Sequence, residues 1–397
     1  MSRYSIPKEI RTLKPKGTMV KLLHNKYYVY EYSSYKDENN KWKIKMGKLV
    51  GQITLEKGFI ANNSYNTDVE ITTLEYGQYV IVVKNSKTVL DRLSKHFNLV
   101  DAQTIYYLCV VHVVNGFTPL KNIDKHIEQS YLSLLHKDLK FSYYKLSKLI
   151  DSLGRQQTYV FNYEQDMINS SSNELIIDGH VISSSSHQND LAEYGNKFNI
   201  LKDKQINYLL VYDLNNEIPI ASRIYPGGTL DKNSVQNQLD IHVYKNILFI
   251  IDKGFYSKEN IKLFSSNNNH YIIPLSQNLK EYKEVTKELK LDNMFIYEKN
   301  KKRISVEYKE TKYSDKKIIV FKDVDQSLRD NQDYLKNMEI NPSKYTLERY
   351  NEVKNFFGVI VLETNLDKSA EDVFKYYKKR WKIETFFNYF KLYGWIS

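Results

Sequence analysis

Two apolar runs in the middle part of the chain end on the same tripeptide. LIIDGHV carries Ile176, Ile177 and Asp178; FIIDKGF carries Ile250, Ile251 and Asp252. A run of large aliphatic residues without polar alternation leaves no solvent face. Each run is therefore expected to be a strand buried on both sides of a sheet. Each passes from its Asp into a Gly-containing turn. A carboxylate where a buried strand meets its loop is a common position for a functional group. The plainer alternative is a strand-end Asp that caps the next turn, and for either residue alone both readings stand.

The rest of the chain supplies the frame for these strands. Residues 18 to 60 alternate aromatic or β-branched with polar residues around the turn-rich KDENNK, which predicts a hairpin. Residues 61 to 76 read as a polar loop. From Ser86 to about Asn169 the apolar spacing turns helical, as in SKTVLDRLSKHFNL, in DAQTIYYLCVVHVVNG between Asp101 and Gly116, and in SYYKLSKLIDSLG ending at Gly154. These helices carry Lys on their open faces, which suits DNA binding or a plain helical bundle. Asn173 to Ile182 is a strand, and Ile206 to Gly228 a hairpin around LNNE. NSVQNQLDIHV is a short helix, Asn246 to Gly254 a buried strand, SKENIKLFSSN a capped helix and HYIIPLS a further strand. Residues 279 to 354 are polar with short strand-like runs, KRISVEYKE and KKIIVFKD, and read as an inserted subdomain. Asn355 to Thr364 returns to an apolar strand, and one final helix from about Ser369 to Lys391 follows, with Ser369 its N-cap.

This order suits an α/β fold of the RNase H-like kind, a mixed sheet with flanking helices, interrupted by a β-containing insertion and preceded by an N-terminal β-hairpin and helical region, although several α/β folds share such an order. The expected boundaries are 1–76 strand-rich and 77–169 helical and DNA-binding. The core then runs over 170–278, breaks for the insertion at 279–354 and resumes over 355–397.

At 397 residues the chain exceeds one ordinary domain. Its formal net charge of +11 favours an anionic partner, nucleic acid ahead of a membrane. The abundance of Lys, Asn, Ile and Tyr also fits an AT-rich coding genome. The single cysteine, Cys109, excludes an intrachain disulfide and a Cys-based zinc site, and its apolar setting predicts a buried thiol. MSRYSIPKEI lacks the apolar stretch of a secretory signal, and no window reaches 18 uninterrupted apolar residues. The expectation is an intracellular protein free of the membrane.

The final helix adds a third chemical group. Tyr377, Arg380, Glu384 and Lys391 fall within about 60° of one helical face at 100° per residue. An ordinary i,i+4 pair would account for Arg380 and Glu384, but not for the flanking Phe374, Tyr376, Trp381, Phe386, Phe387 and Phe390, which predict a packed helix. Three carboxylates without a Cys or His cluster favour Mg²⁺ or Mn²⁺, hard cations that take oxygen ligands. His180 and His187, seven residues apart beside Asp178, do not make a zinc protease spacing.

YYKKRWKIETFFNYFK contains Tyr377-x2-Arg380-x3-Glu384-x6-Lys391. This resembles the Y-x2-R-x3-E-x6-K signature of DDE transposases of the IS-four type. FIIDKGFYSKENI resembles that family's second-Asp region, and DKQINYLLVYDLNNEIPIASRIYPGGTLD its intervening hairpin. The N-terminal strands resemble those of one branch of it. The resemblance implies a metal-binding triad of Asp178, Asp252 and Glu384 holding two Mg²⁺ (or Mn²⁺) ions. It implies Tyr377, Arg380 and Lys391 as DNA-phosphate contacts, and cut-and-paste transposition by strand cleavage and strand transfer. It further implies double-stranded DNA partners (terminal inverted repeats and target), a homodimer, and a bacterial cytoplasmic, nucleoid-associated location. His180 stands where the family often has Thr, and Gly228 where Asn is common; Asp166 and Asp190 remain alternatives for the first acid. The sequence stops six residues after Lys391, which predicts a copy shortened at its C-terminus. The alternatives are an impaired remnant that only binds DNA, another RNase H-like nuclease, or a helical DNA-binding protein.

Overall fold

The structure, a computed structural model, describes residues 6–62, 72–135, 139, 141–186, 188–195, 203–299 and 301–393. It divides into two compact units, Met1–Thr73 and Leu74–Ser397. Among the described residues no helix is long and apolar enough to cross a membrane.

In the first unit the alternating stretch forms an antiparallel meander. Its strands are β1 (Thr18–Leu23), β2 (Lys26–Lys36), β3 (Trp42–Thr54) and β4 (Gly58–Ala61). KDENNK turns β2 into β3. The Asp37 carboxylate accepts the backbone N–H groups of Asn39 and Lys41 at 3.0 and 2.9 Å, and Asn40 takes a left-handed φ of 63°, which Asn tolerates. Ile10, Val20, Val29 and Ile53 form its small core. Most of the loop expected at 61 to 76 lies outside the described residues.

The second unit opens with helices from Gly77 to Asn169. The Leu99–Asn115 helix is capped by Asn98, whose side chain accepts the Asp101 N–H, and it closes on left-handed Gly116. Asp101 thus sits inside the first turn instead of at the cap. The Tyr143–Arg155 helix continues one residue past Gly154. Tyr79, Ala102, Tyr106, Val110, Ile123, Leu132 and Leu146 build the helical core. Cys109, expected in that core, is exposed: it falls on the side of the helix opposite the buried Val111 and Tyr107.

The main sheet contains β5 (Glu174–Ser184), β6 (Glu193–Tyr194), β7 (Lys204–Asp213), β8 (Ile218–Pro226), β9 (Leu248–Ile251) and β10 (His270–Pro274). It continues with β11 (Asn293–Lys299), β12 (Lys302–Tyr313), β13 (Lys316–Asp323) and β14 (Val359–Thr364). Its order is β11-β12-β13-β14-β10-β9-β5-β7-β6, with β8 on β7. Strands β5, β9 and β10 are mutually parallel neighbours, and the outer pairings are antiparallel. Segment 279–354 does not form a sheet of its own. Its strands extend the main one, because KKIIVFKD is apolar on both faces: Ile319 and Phe321 join one core layer, Ile318 and Val320 the other.

Two-residue alternation sorts the central strands onto two faces. Leu175, Ile177, Phe249, Ile251 and Ile273 pack with Val235, Ile261 and Phe264 of the helices Asp231–Ile241 and Lys258–Phe264. Ile176, Ile250, Ile272, Phe321 and Leu362 pack with Val373, Phe374, Ile383 and Phe387. The latter residues belong to two helices, Ala370–Lys379 and Trp381–Tyr393. The single helix expected from Ser369 to Lys391 is therefore divided at Arg380. There the Arg380 N–H reaches the Tyr377 carbonyl and the Ile383 N–H the Arg380 carbonyl, three residues back in each case, a tightened turn in place of α-helical spacing. Ser369 does cap the first helix, accepting the Asp372 N–H.

Phe374 clamps this helix pair to the sheet. It is fully buried among Phe295, Tyr297 and Phe321, with ring centroids 5.1 to 5.5 Å away. Phe374→Ala is expected to cost about 3–5 kcal/mol of stability, measurable as a lowered urea midpoint.

Candidate active site

Register brings the two Ile-Ile-Asp runs together. Ile177 lies opposite Ile251 at the last paired position of parallel strands β5 and β9. The next residues, Asp178 and Asp252, thus lie side by side: Asp252 follows the end of β9, whereas Asp178 sits inside β5, which does not turn at Gly179 as expected but runs on to Ser184 because it stays paired with β7. Both share the face of Ile176 and Ile250, the face covered by the Arg380-bearing helix pair.

Arg380 joins the acids. Its Nη1 donates to Asp178 Oδ2 at 2.8 Å across 202 residues of sequence. Its Nη2 lies 4.0 Å from Asp252 Oδ1, and its Nη1 lies 3.8 Å from Glu384 Oε1. One guanidinium is thus within 4.0 Å of three carboxylates drawn from three separate elements. Asp178 and Arg380 are nearly buried, whereas Asp252 and Glu384 keep 35% and 40% of their side-chain exposure. The plainer readings hold locally as well: Arg380 and Glu384 do form the i,i+4 pair, and Asp252 accepts the Gly254 N–H, weakly, at 3.5 Å. They do not explain why Asp178 and Asp252 meet the same guanidinium.

Burial pushes the Asp178 carboxyl up to about 6, against the opposing pull of Arg380 and the Gly179 N–H, while Glu384 and Asp252 add to the rise. A carboxylate whose folded pKa lies above its unfolded value binds more protons when folded. Its contribution to stability is complete below pH 3.8 and is lost as pH rises through 6. Thermal unfolding in EDTA should therefore show Asp178→Asn gaining on the wild type between about pH 4 and 7, by roughly 2–3 kcal/mol. A constant difference across that window would refute the shift.

Tyr377 is half-buried beside Arg380. Burial raises its phenol pKa, and the guanidinium opposes the rise. Lys391 is exposed and forms no ion pair among the described residues. Other basics near the signature are tied to protein acids: Lys378 to Asp323 at 3.0 Å, Lys375 to Glu371 at 2.7 Å, and Lys382 to Glu217 at 2.5 Å. Of the flanking aromatics, Phe374 and Phe387 are buried, but Trp381 is 67% exposed. Its place at the start of the second helix points it away from the sheet.

The alternative first acids lie apart from this cluster. Asp166 pairs with Arg92 and His96 at 3.6 Å, and Asp190 is exposed in a turn. His180 stacks on Phe387, with centroids 5.2 Å apart; His187 lies outside the described residues. Sequence reasoning assigned no role to Asp231. Its carboxylate lies 3.2 Å from where a Cβ would stand at Gly254 and 3.9 Å from the same position at Gly179. The signal was the pair of glycines following the two acids, whose missing side chains leave room for a further carboxylate beside them.

Three carboxylates around one positive charge match the hard-oxygen donor chemistry of Mg²⁺ or Mn²⁺. Among the described residues, no three of His, Cys, Asp and Glu approach one another closely enough to form a metal shell directly. The guanidinium occupies the centre in the manner of a stand-in cation.

The fold and site together define a mixed α/β protein with an acidic centre where β9 ends beside the middle of β5. Residues 169–397 match the family model described as the transposase DDE domain, and the chain belongs to that family. Among solved structures it is similar to a piggyBac transposase synaptic complex with hairpin DNA, at 12% identity and a TM-score of 0.43, over 75% of this chain and 60% of that one. Comparison with curated sequences gives no match.

Proposed function

We propose that this chain is a DNA transposase of the IS-four type that cleaves and joins DNA strands at a centre formed by Asp178, Asp252 and Glu384. The observation that carries the reading is the meeting of these three acids on Arg380 within a family whose members generally use divalent metal ions. Asp178, Asp252 and Glu384 would hold two Mg²⁺ or Mn²⁺ ions, which supply activation of the attacking oxygen and stabilisation of the leaving one in a phosphoryl displacement. Asp178 and Asp252 belong to an RNase H-like core, rigid because β5 and β9 are buried on both faces where they pair.

Arg380 provides a planar, permanently charged fork suited to a DNA phosphate, and Lys391 a point charge on the same helix pair. Tyr377 supports the guanidinium from the preceding turn. The net positive charge favours duplex DNA, with terminal inverted repeats and target DNA as substrates and a homodimer as the assembly. The helices of residues 77–169 offer further DNA contacts. Incubation of the purified chain with Mg²⁺ and DNA carrying the element's terminal repeats should yield cleaved ends and strand-transfer products. Binding without cleavage in Mg²⁺ or Mn²⁺ would favour the impaired-remnant reading.

A further inference from the structure

The positive charge of this chain is unevenly placed. Residues 6–62 hold twelve Lys and Arg against five Asp and Glu, a net +7 of the +11 carried by all 397 residues. They belong to the first unit, whose strands β2 and β3 run past its small core. At the base, Val29 and Ile53 are buried. Beyond the register shifts at Tyr30, every residue of 31–36 and of 42–48 is exposed. The ribbon thus projects about 20 Å with both faces open. A two-stranded ribbon is marginal alone in water and gains from a partner.

The pairing sorts this arm into two faces. Tyr32 lies opposite Met46, Ser34 opposite Ile44 and Lys36 opposite Trp42. This face is mainly apolar, with Ile44 63% and Trp42 69% exposed and the Lys36 ammonium 5.3 Å from the Trp42 ring centre. Ser33, Tyr35, Lys43 and Lys45 form the other face. Asp37 pairs with Lys43 at 3.1 Å, but Lys36, Lys41, Lys45 and Lys48 make no ion pair among the described residues.

An apolar face ringed by lysines needs an occupant that is apolar inside and anionic at its rim. The DNA minor groove is such an occupant: deoxyribose walls it and phosphates line its edges. A second copy of the arm fits less well. A face of about 20 by 10 Å falls far short of the roughly 800 Å² per partner of a stable protein interface, and it would set lysines against lysines. The major groove is read by hydrogen-bonding groups, which Trp42, Ile44 and Met46 do not supply to it. We infer that the β2–β3 ribbon is a minor-groove arm for duplex DNA, with Trp42, Ile44 and Met46 against the groove and the lysines reaching the phosphates on long apolar stems. The native groove, about 6 Å wide, must open to admit a ribbon, so binding bends the duplex. Apolar side chains also favour A·T pairs, because G·C adds a guanine amino group that they leave without an acceptor. The inference rests on the reading above for DNA as the partner, but binding through the arm needs neither metal nor the acids.

The test is fluorescence anisotropy of the full chain in EDTA on three duplexes of equal length, made of A·T, I·C and G·C pairs. Inosine lacks the guanine amino group in the minor groove but shows the major groove the same acceptors. A·T and I·C should bind within twofold of each other and at least fivefold more tightly than G·C, with end-to-end energy transfer reporting the bend. Ile44→Thr combined with Met46→Thr, at exposed positions and with strand-favouring replacements, should cut the preference below twofold and remove the bend. Lys45→Gln combined with Lys48→Gln should keep the preference and lower the slope of log affinity against log salt by roughly two. I·C grouping with G·C, or a preference unchanged in the threonine pair, overturns the minor-groove arm. So does sedimentation of a wild-type dimer that the threonine pair makes monomeric, which would put a second copy on this face. Cleavage that depends on Glu384 without any base-pair preference would overturn the arm alone. No binding to any duplex would overturn both readings.

Discussion

Glu384→Gln and Asp252→Asn are each expected to lower metal-dependent DNA cleavage by at least about 10³-fold, while the protein remains folded and bound to DNA. The expectation follows from charge. Three carboxylates and one guanidinium leave two net negative charges at the centre, and either substitution halves that attraction for a divalent cation. Both side chains keep over a third of their exposure, so their amides are hydrated readily and stability should change by less than about 1 kcal/mol. Nicking of supercoiled plasmid in Mn²⁺ measures the activity, a gel mobility shift the binding, and circular dichroism the fold. A tenfold loss or less in both variants would mean that these acids do not carry the chemistry.

Arg380→Ala should cost about 3 kcal/mol at pH 8 in EDTA, because it strips a nearly buried Asp178 of its partner. The cost should shrink below pH 6, where Asp178, already pushed up to about 6 in the wild type, takes a proton. Mg²⁺ should then restore more stability to the variant than it adds to the wild type, since a ligand that binds only the folded state stabilises it in proportion to its affinity. Arg380→Ala combines a loss of stability with a gain in metal response, which a merely structural salt bridge would not show. DNA cleavage should fall as well, through loss of a phosphate contact. A melting temperature in EDTA equal to the wild type's at pH 8 would contradict the burial argument. So would an identical Mg²⁺ response in the two proteins.

Much of this centre was legible in the residues. The Ile-Ile-Asp runs announced buried strands by their lack of polar alternation, and their parallel pairing then placed the two acids side by side; that β5 continues past Asp178 was not legible, because Gly179 reads as a turn until β7 is there to pair with it. The spacing of Arg380 and Glu384 survives, although the helix that carries them is divided. The division at Arg380 was not visible, because no Pro or Gly marks it; it follows from the packing of Phe374 and Ile383 on one sheet face from two helices. The role of 279–354 was obscured by composition. Its Lys and Glu residues populate helix surfaces and hairpin ends, while the four apolar residues Ile318 to Phe321 decide where the segment pairs. Cys109 was misplaced for a related reason: in an all-apolar helical run, periodicity cannot tell which face is covered. Asp231 meets the two acids only through contacts between segments distant in the chain, and its one local sign is the glycine that follows each acid.

Iron-directed cleavage tests the central claim most directly. Fe²⁺ with ascorbate generates hydroxyl radicals where the ion binds, and these cut the nearest backbone. Cuts beside Asp178, Asp252 and Glu384, suppressed together by excess Mg²⁺, are the predicted result. Cuts elsewhere in the chain, or none that Mg²⁺ suppresses, would contradict a shared metal centre built from these three acids.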